Sequence, residues 1–394
     1  MTDASRDTAT WWARRPAQIL RWLAVHGRGW RLDVAALILF AASRLVVVIA
    51  IDFGPLLLPE PYTGKWLAGP QWYHRMVRWD GRWYGGIVTD GYQYSDAAQA
   101  LNSINFFPLY PLVSAAMRVL ARVDPFVAML LVANLCSVIV VLLLVRLVKQ
   151  EIGEESVLPT VALFSFFPSS MFLSAAYSES LCLVFVLLSL ILLARHQFVV
   201  SAAMAGVSLA ARSTSIVLLP VILSVIALTP TMTWPQRLSR IAVCGVLAAS
   251  GLLAYMAYLW IAFGHPLAFV ASQDAFHAQS LSQRIASAVT IEAFRRAEWP
   301  EAVQLLAFVL LAVASFWRLR FSLALYGIAA IAMPYLLDGV TRSTGRYLLA
   351  CFPAFMLLGW ICRTRPWLTI ALTACLAALL FRKTALFSQW YWEG

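Results

Sequence analysis

Apolar runs separated by short polar patches repeat along the whole 394-residue chain. They fall at about 34–52, 106–121, 126–148, 158–174, 180–194, 198–211, 213–229, 240–263, 301–318, 321–338, 346–362 and 367–381. At 1.5 Å per residue such runs cross ~30 Å of hydrocarbon, where a helix satisfies its own backbone. The pattern predicts an all-α polytopic membrane protein with about 11–12 transmembrane helices. Pro168, Pro220, Pro334 and Pro353 interrupt or border these runs, and 106–121, with Pro108, Pro111 and Arg118, is the weakest as a complete span. Two long stretches lie outside them, a first external loop at about 53–105 and a second at about 264–300. Loops of this length in a compact protein are usually functional.

Composition sharpens the class: 61% of residues are hydrophobic and 12% charged, with a net charge of +11. A soluble domain is about a quarter charged. The arginines sit in patches between apolar runs, as at Arg237/Arg240, Arg318/Arg320 and Arg363/Arg365, which is the distribution of topology signals and excludes nucleic acid as the partner. Residues 1–33 are polar, carry six arginines and lead into no small-residue cleavage site, so they read as a cytoplasmic N-terminal segment without a cleaved signal peptide. Residues 34–381 form the membrane domain and 382–394 a C-terminal tail. The six cysteines lie in apolar segments without a CxxC pair, as packing residues do, and the five histidines are scattered. No metal site and no cofactor are expected. The absence of an internal repeat counts against a transporter.

Against this background a few polar residues stand out. Arg44 lies in mid-span in "FAASRLVVVIAID" and needs a polar partner or an anionic ligand; a structural pair would serve as well. The first loop holds "WDGRWY" at 79–84, an acid and a base among three large rings. An interfacial aromatic belt explains the rings but not Asp80. Trp79, Trp83 and Ile87 follow at i, i+4 and i+8, so an interfacial helix keeps that stripe in lipid and turns Asp80 toward the bundle. Gly81, Gly85 and Gly86 weaken that helix and permit close approach to its backbone. In "FPSSMFLSAAYSES", Tyr177 and Glu179 are pressed between apolar runs, where a glutamate must line a cavity or be hydrogen-bonded. Arg212 is a further arginine flanked on both sides by apolar sequence, Arg346 stands at a membrane entry, and Gln273 and His277 in the second loop are placed to contact hydroxyls. Aromatic faces and acids for hydroxyls, with arginines for a phosphate at membrane depth, together describe a sugar on a lipid phosphate.

These stretches resemble the PIG-V (GPI mannosyltransferase II) family of GT-C-fold membrane glycosyltransferases in its bacterial form. The resemblance rests on "WDGRWYGGIVTDGY" at 79–92, "FFPLYPL" at 106–112, "FPSSMFLSAAYSES" at 167–180 and "ARSTS" at 211–215, in that order. The chain departs from the family at Trp83, where histidine is common, and at Thr214-Ser215, where Asn-Gly is common; both bear on the acceptor more than on the donor. The resemblance implies a plasma-membrane mannosyltransferase of glycolipid biosynthesis that takes mannose from polyprenyl-phosphate-mannose and passes it to a lipid-linked or glycan acceptor on the non-cytoplasmic face. It maps the active-site acid of the first external loop onto Asp80.

With a β-linked donor and an α-linked product, transfer inverts in one step and needs one base, Asp80. Arg44, Arg212 or Arg346 then stabilises the departing lipid phosphate, while Trp79, Trp83, Tyr84, Tyr177, Glu179, Gln273 and His277 contact sugar or acceptor. The same features fit a GT-C transferase for another polyprenyl-linked sugar, such as glucose or arabinose. A non-catalytic transporter or flippase of a lipid-linked sugar, or a structural subunit, would not depend on Asp80.

Overall fold

The computed structural model describes residues 8–58, 71–95, 102–277, 282, 299–338 and 343–392. Among the described residues every regular element is helical. The α-helices are α1 Thr8–Leu57, α2 Asp80–Asp90, α3 Leu109–Ala121, α4 Pro125–Glu151, α5 Val157–Ser165, α6 Glu179–Ala194, α7 Phe198–Ala211, α8 Leu218–Leu228, α9 Trp234–Phe263 and α10 Ala268–His277. They are followed by α11 Trp299–Ala314, α12 Phe321–Asp338, α13 Thr344–Ala350, α14 Phe352–Cys362 and α15 Pro366–Ser388.

Five stretches are long and apolar enough to cross a membrane: Trp30–Leu57 within α1, α4, α9, Pro300–Trp317 and α15. The pair α13 and α14 would make a sixth, bent by 73° at Cys351. This is a multi-pass membrane protein. The remaining expected spans are shorter. Residues 158–174 do not form one crossing: α5 stops at Ser165, a 3-10 turn follows at Pro168–Leu173, and both are buried among other helices. Pro168 has no N–H to continue the α-helical ladder, and the serines around it take over the backbone's partners. At 13 residues, or ~20 Å, α3 is too short to cross and pairs with the first turns of α4, where Tyr110 donates to the Met129 carbonyl at 2.9 Å.

One end of the bundle is tied by charge. Lys149 bonds Asp33 at 2.7 Å, and Arg320 reaches Glu151 at 2.8 Å and the Ala194 carbonyl at 3.1 Å. The middle is apolar, with Phe164, Phe167, Phe308 and Phe355 meeting edge to face or tilted at 5.1–5.5 Å. Helices α7 and α9 touch backbone to backbone: a Cβ on Gly251 would strike the Gly206 carbonyl, and one on Gly206 the Leu247 carbonyl.

The other end carries α2. A Cβ on Gly81 would lie 3.3 Å from the Ala176 carbonyl and one on Gly85 2.5 Å from the Phe126 ring, so glycine lets α2 rest directly on residues 174–178 and on α4. The stripe expected in lipid faces protein instead. Trp79 packs edge-on against Trp390 and Trp392, Trp83 stacks on Phe106 at 5.9 Å, and Ile87 is buried. The segment expected as a tail from 382 onward supplies part of that cover: α15 continues to Ser388, and the residues after it fold back over α2.

Candidate functional site

Four side chains from four elements form one alternating chain of charge. Asp80 opens α2, Glu179 opens α6, Arg212 ends α7, and Arg346 lies in the short helix α13. Asp80 Oδ2 accepts from Arg346 Nη1 at 2.8 Å. Glu179 Oε1 accepts from Arg346 Nε at 2.5 Å and pairs with Arg212 Nη1 at 2.6 Å. Glu179 Oε2 is buried without a hydrogen-bond partner among the described residues.

Local structure explains each placement. The chain enters α2 through Trp79 at φ 51° and ψ −120°, a conformation that strains any residue with a Cβ. This turn places the acid next to it at the start of the helix. Glu179 likewise occupies the first turn of α6, where the helix dipole favours a carboxylate. Arg212 is the extended residue at which α7 ends.

Aromatic rings wall the chain. The Arg346 guanidinium lies 4.9 Å from the Tyr177 ring centre, 5.2 Å from Phe172 and 5.8 Å from Trp392. Tyr177 donates to the Arg78 carbonyl at 3.1 Å, and Tyr84 shares a 2.9 Å hydrogen bond with Ser178. The middle of the chain is the more closed: the Glu179 and Arg346 side chains are 6% and 8% accessible, Arg212 at one end is 15% and Asp80 at the other 24%. The carboxylate in the first loop is therefore the more accessible end of the network. A cavity of about 30 Å³, room for a water, touches Glu179, Arg212, Thr214, Ser215 and Arg346. A second, of about 440 Å³ and almost wholly apolar, lies between Ile87, Tyr92, Leu109, Ala210, Gly251 and Tyr255.

The structure thus joins Asp80, Glu179, Arg212 and Arg346, with Trp79, Tyr84 and Tyr177 around them. Arg44 is not among them. Its five N–H groups go to Ser43 Oγ, the Ser170 carbonyl, Ser174 Oγ, the Ser165 carbonyl and Ser170 Oγ, at 2.6–3.2 Å. With every donor taken by protein, it clamps the 165–174 turn to α1 and has none left for a phosphate. Trp83 stacks one step away, on Phe106. Gln273 is half-buried on α10, which packs beside residues 103–105 and not on the charge chain. His277 ends α10, and its side chain lies outside the described residues. Sequence reasoning passed over Trp392, although "QWYW" at 389–392 is as aromatic as the first loop.

No protein-family model matches the chain, and no curated protein does. Among solved structures it is similar to the apo oligosaccharyltransferase of Archaeoglobus fulgidus, with a TM-score of 0.47, 10% identity and coverage of 90% of this chain and 56% of that one. It is also similar to the archaeal oligosaccharyltransferase AglB from Archaeoglobus fulgidus in complex with an inhibitory peptide and a dolichol-phosphate, with a TM-score of 0.44, 11% identity and coverage of 88% and 55%. The chain spans about half the length of these neighbours.

Proposed function

We propose that this chain is a GT-C-type glycosyltransferase that moves mannose from polyprenyl-phosphate-mannose to a lipid-linked or glycan acceptor. The observation that carries this reading is the Asp80–Arg346–Glu179–Arg212 chain, closed by rings on the inside and accessible at Asp80. In a water-poor site such pre-placed charges stabilise a separating phosphate strongly.

In the reaction we infer, the acceptor hydroxyl gives its proton to Asp80 through Oδ1 while its oxygen bonds to the anomeric carbon. The bond from that carbon to the carrier's phosphate breaks on the opposite face, and the electron pair leaves with the phosphate. Arg212 and Arg346 neutralise it, and Glu179 holds both guanidiniums in place. Trp79 and Trp392 offer faces to the sugar, whereas Tyr177, expected to contact it, is buried behind the Arg346 guanidinium. The 440 Å³ apolar cavity, two residues from Arg212 at Ala210, suits the first part of the carrier's hydrocarbon chain. Arg195, Arg237, Arg240, Arg318, Arg320, Arg363 and Arg365 lie at helix ends remote from the site, and the positive-inside rule applied to these patches supports a site on the non-cytoplasmic face of the plasma membrane.

The test is transfer from synthetic polyprenyl-phosphate-mannose, beside the glucose and arabinose donors, by the purified protein in nanodiscs with a panel of acceptors. Mannose transfer by the wild type and its loss in Asp80→Asn supports the reading. Transfer of another sugar alone corrects the donor. Flipping of the donor across a sealed bilayer without any transfer replaces the enzyme with a transporter.

A further inference from the structure

The flank of α2 turned away from Asp80 holds a second cation that the charge chain does not use. Arg82 is half-buried with its guanidinium 5.1 Å from the Phe126 ring centre and 6.0 Å from Trp390. Its Nε and Nη2 are buried, and neither has a hydrogen-bond partner among the described residues. His74 meets the same Phe126 ring edge-on at 5.3 Å, and its Nδ1 is also buried without a partner. Arg78, 3% exposed, lies over the same Trp390 ring at 4.6 Å. The acid on this flank, Asp124, already caps α4 by accepting from the Phe126 N–H at 2.8 Å. Burial, and then the Arg82 cation, hold His74 below its ordinary pKa.

A buried donor without a partner costs roughly 1–3 kcal/mol, and more on a charged group, so two on one guanidinium call for an acceptor. The rings on either side fix the fork's plane, and the local balance is positive. We propose that Arg82, with Arg78 and His74 beside it, forms an anion site for the phosphate of a lipid headgroup at the non-cytoplasmic surface. Asp80 lies two residues from Arg82 on the same helix, on its other flank, so the headgroup of a lipid held here by its phosphate has one helix width to reach around before it meets the charge chain. That this lipid is the acceptor rests on the transfer reading above; the binding itself does not.

The experiment uses the full chain in maltoside micelles, which carry no phosphate, with and without phosphatidylglycerol. It counts retained lipid by native mass spectrometry for wild type, Arg82→Gln and Arg82→Lys. Wild type should retain one phosphatidylglycerol, Arg82→Gln should hold it about ten- to hundredfold more weakly, and Arg82→Lys should fall between. In a second arm inorganic phosphate replaces the lipid and thermal unfolding is read. Protection by phosphate equal to that by phosphatidylglycerol keeps the anion site and makes free phosphate its ligand. In micelles alone Arg82→Gln should unfold no earlier than wild type, because it removes buried donors that lack partners. Equal lipid retention by wild type and Arg82→Gln, or earlier unfolding of Arg82→Gln in micelles alone, overturns the site and leaves Arg82 as packing. Arg82-dependent retention without any sugar transfer removes only the transferase reading.

Discussion

At the scale of single residues, Asp80 and Glu179 are both carboxylates bound to Arg346 but differ in what reaches them. Asp80 meets the outside through its accessible edge, so Asp80→Asn should keep expression and lower turnover about 10²–10⁴-fold, read as initial rate in nanodiscs. Glu179 is sealed between two guanidiniums. Glu179→Gln leaves Arg212 without a counter-charge and Arg346 with Asp80 alone, and breaking a buried pair in this way costs about 3–5 kcal/mol. The expected result is a clearly lower melting temperature in detergent, partly restored when Arg212→Gln is added. Unchanged melting of the single variant would remove the charge chain as a structural element. The sequence already singled out both acids and all three arginines. It could not separate Arg44 from Arg346, because each is an arginine beside apolar residues. Their partners lie more than a hundred positions away, and those partners alone make one a clamp and the other part of a site.

At the scale of elements, the apolar pattern located the helices well and their ends poorly. Residues 158–174 are as apolar as a span because a protein interior selects the same side chains as lipid, so hydropathy cannot tell a buried turn from a crossing. The interior fate of the Trp79, Trp83 and Ile87 stripe was hidden for the same reason. The glycines of α2 were legible as points of close approach, and for two of them the neighbours are Ala176 and Phe126. A sharper case is the contact of α7 with α9. Gly251→Ala should force the two backbones apart at a cost of about 1–3 kcal/mol, seen as a lower melting temperature. Gly86→Ala is the control. Nothing lies within 4 Å of its added Cβ, so melting should hold or rise slightly.

At the scale of the molecule, the Lys149–Asp33 and Arg320–Glu151 pairs lie at the C-terminal end of α4, and α2 with the site packs at its N-terminal end. A cysteine placed at exposed Thr89 should react with a membrane-impermeant maleimide in intact cells, whereas one at exposed Ser239 should react only after the cells are opened. The reverse result would turn the site to the cytoplasm. Of the native cysteines only Cys375 is exposed, on the apolar helix α15, so background labelling should be low.

The Arg44 clamp also sets a problem of timing during synthesis. Its partners outside α1 follow 121 to 130 residues later in the chain. At ~5–20 residues per second, α1 therefore waits about 6–26 s in or beside the bilayer with its guanidinium unmatched. During that interval a central arginine costs at least ~2.5–3.5 kcal/mol, which the apolar residues around it must outweigh. Nascent chains arrested before residue 165 should therefore insert α1 less completely than chains long enough to have released residues 165–174 from the ribosome, and Arg44→Leu should abolish the difference. Synthesis thus passes through a stage at which the first span is held in the membrane only provisionally.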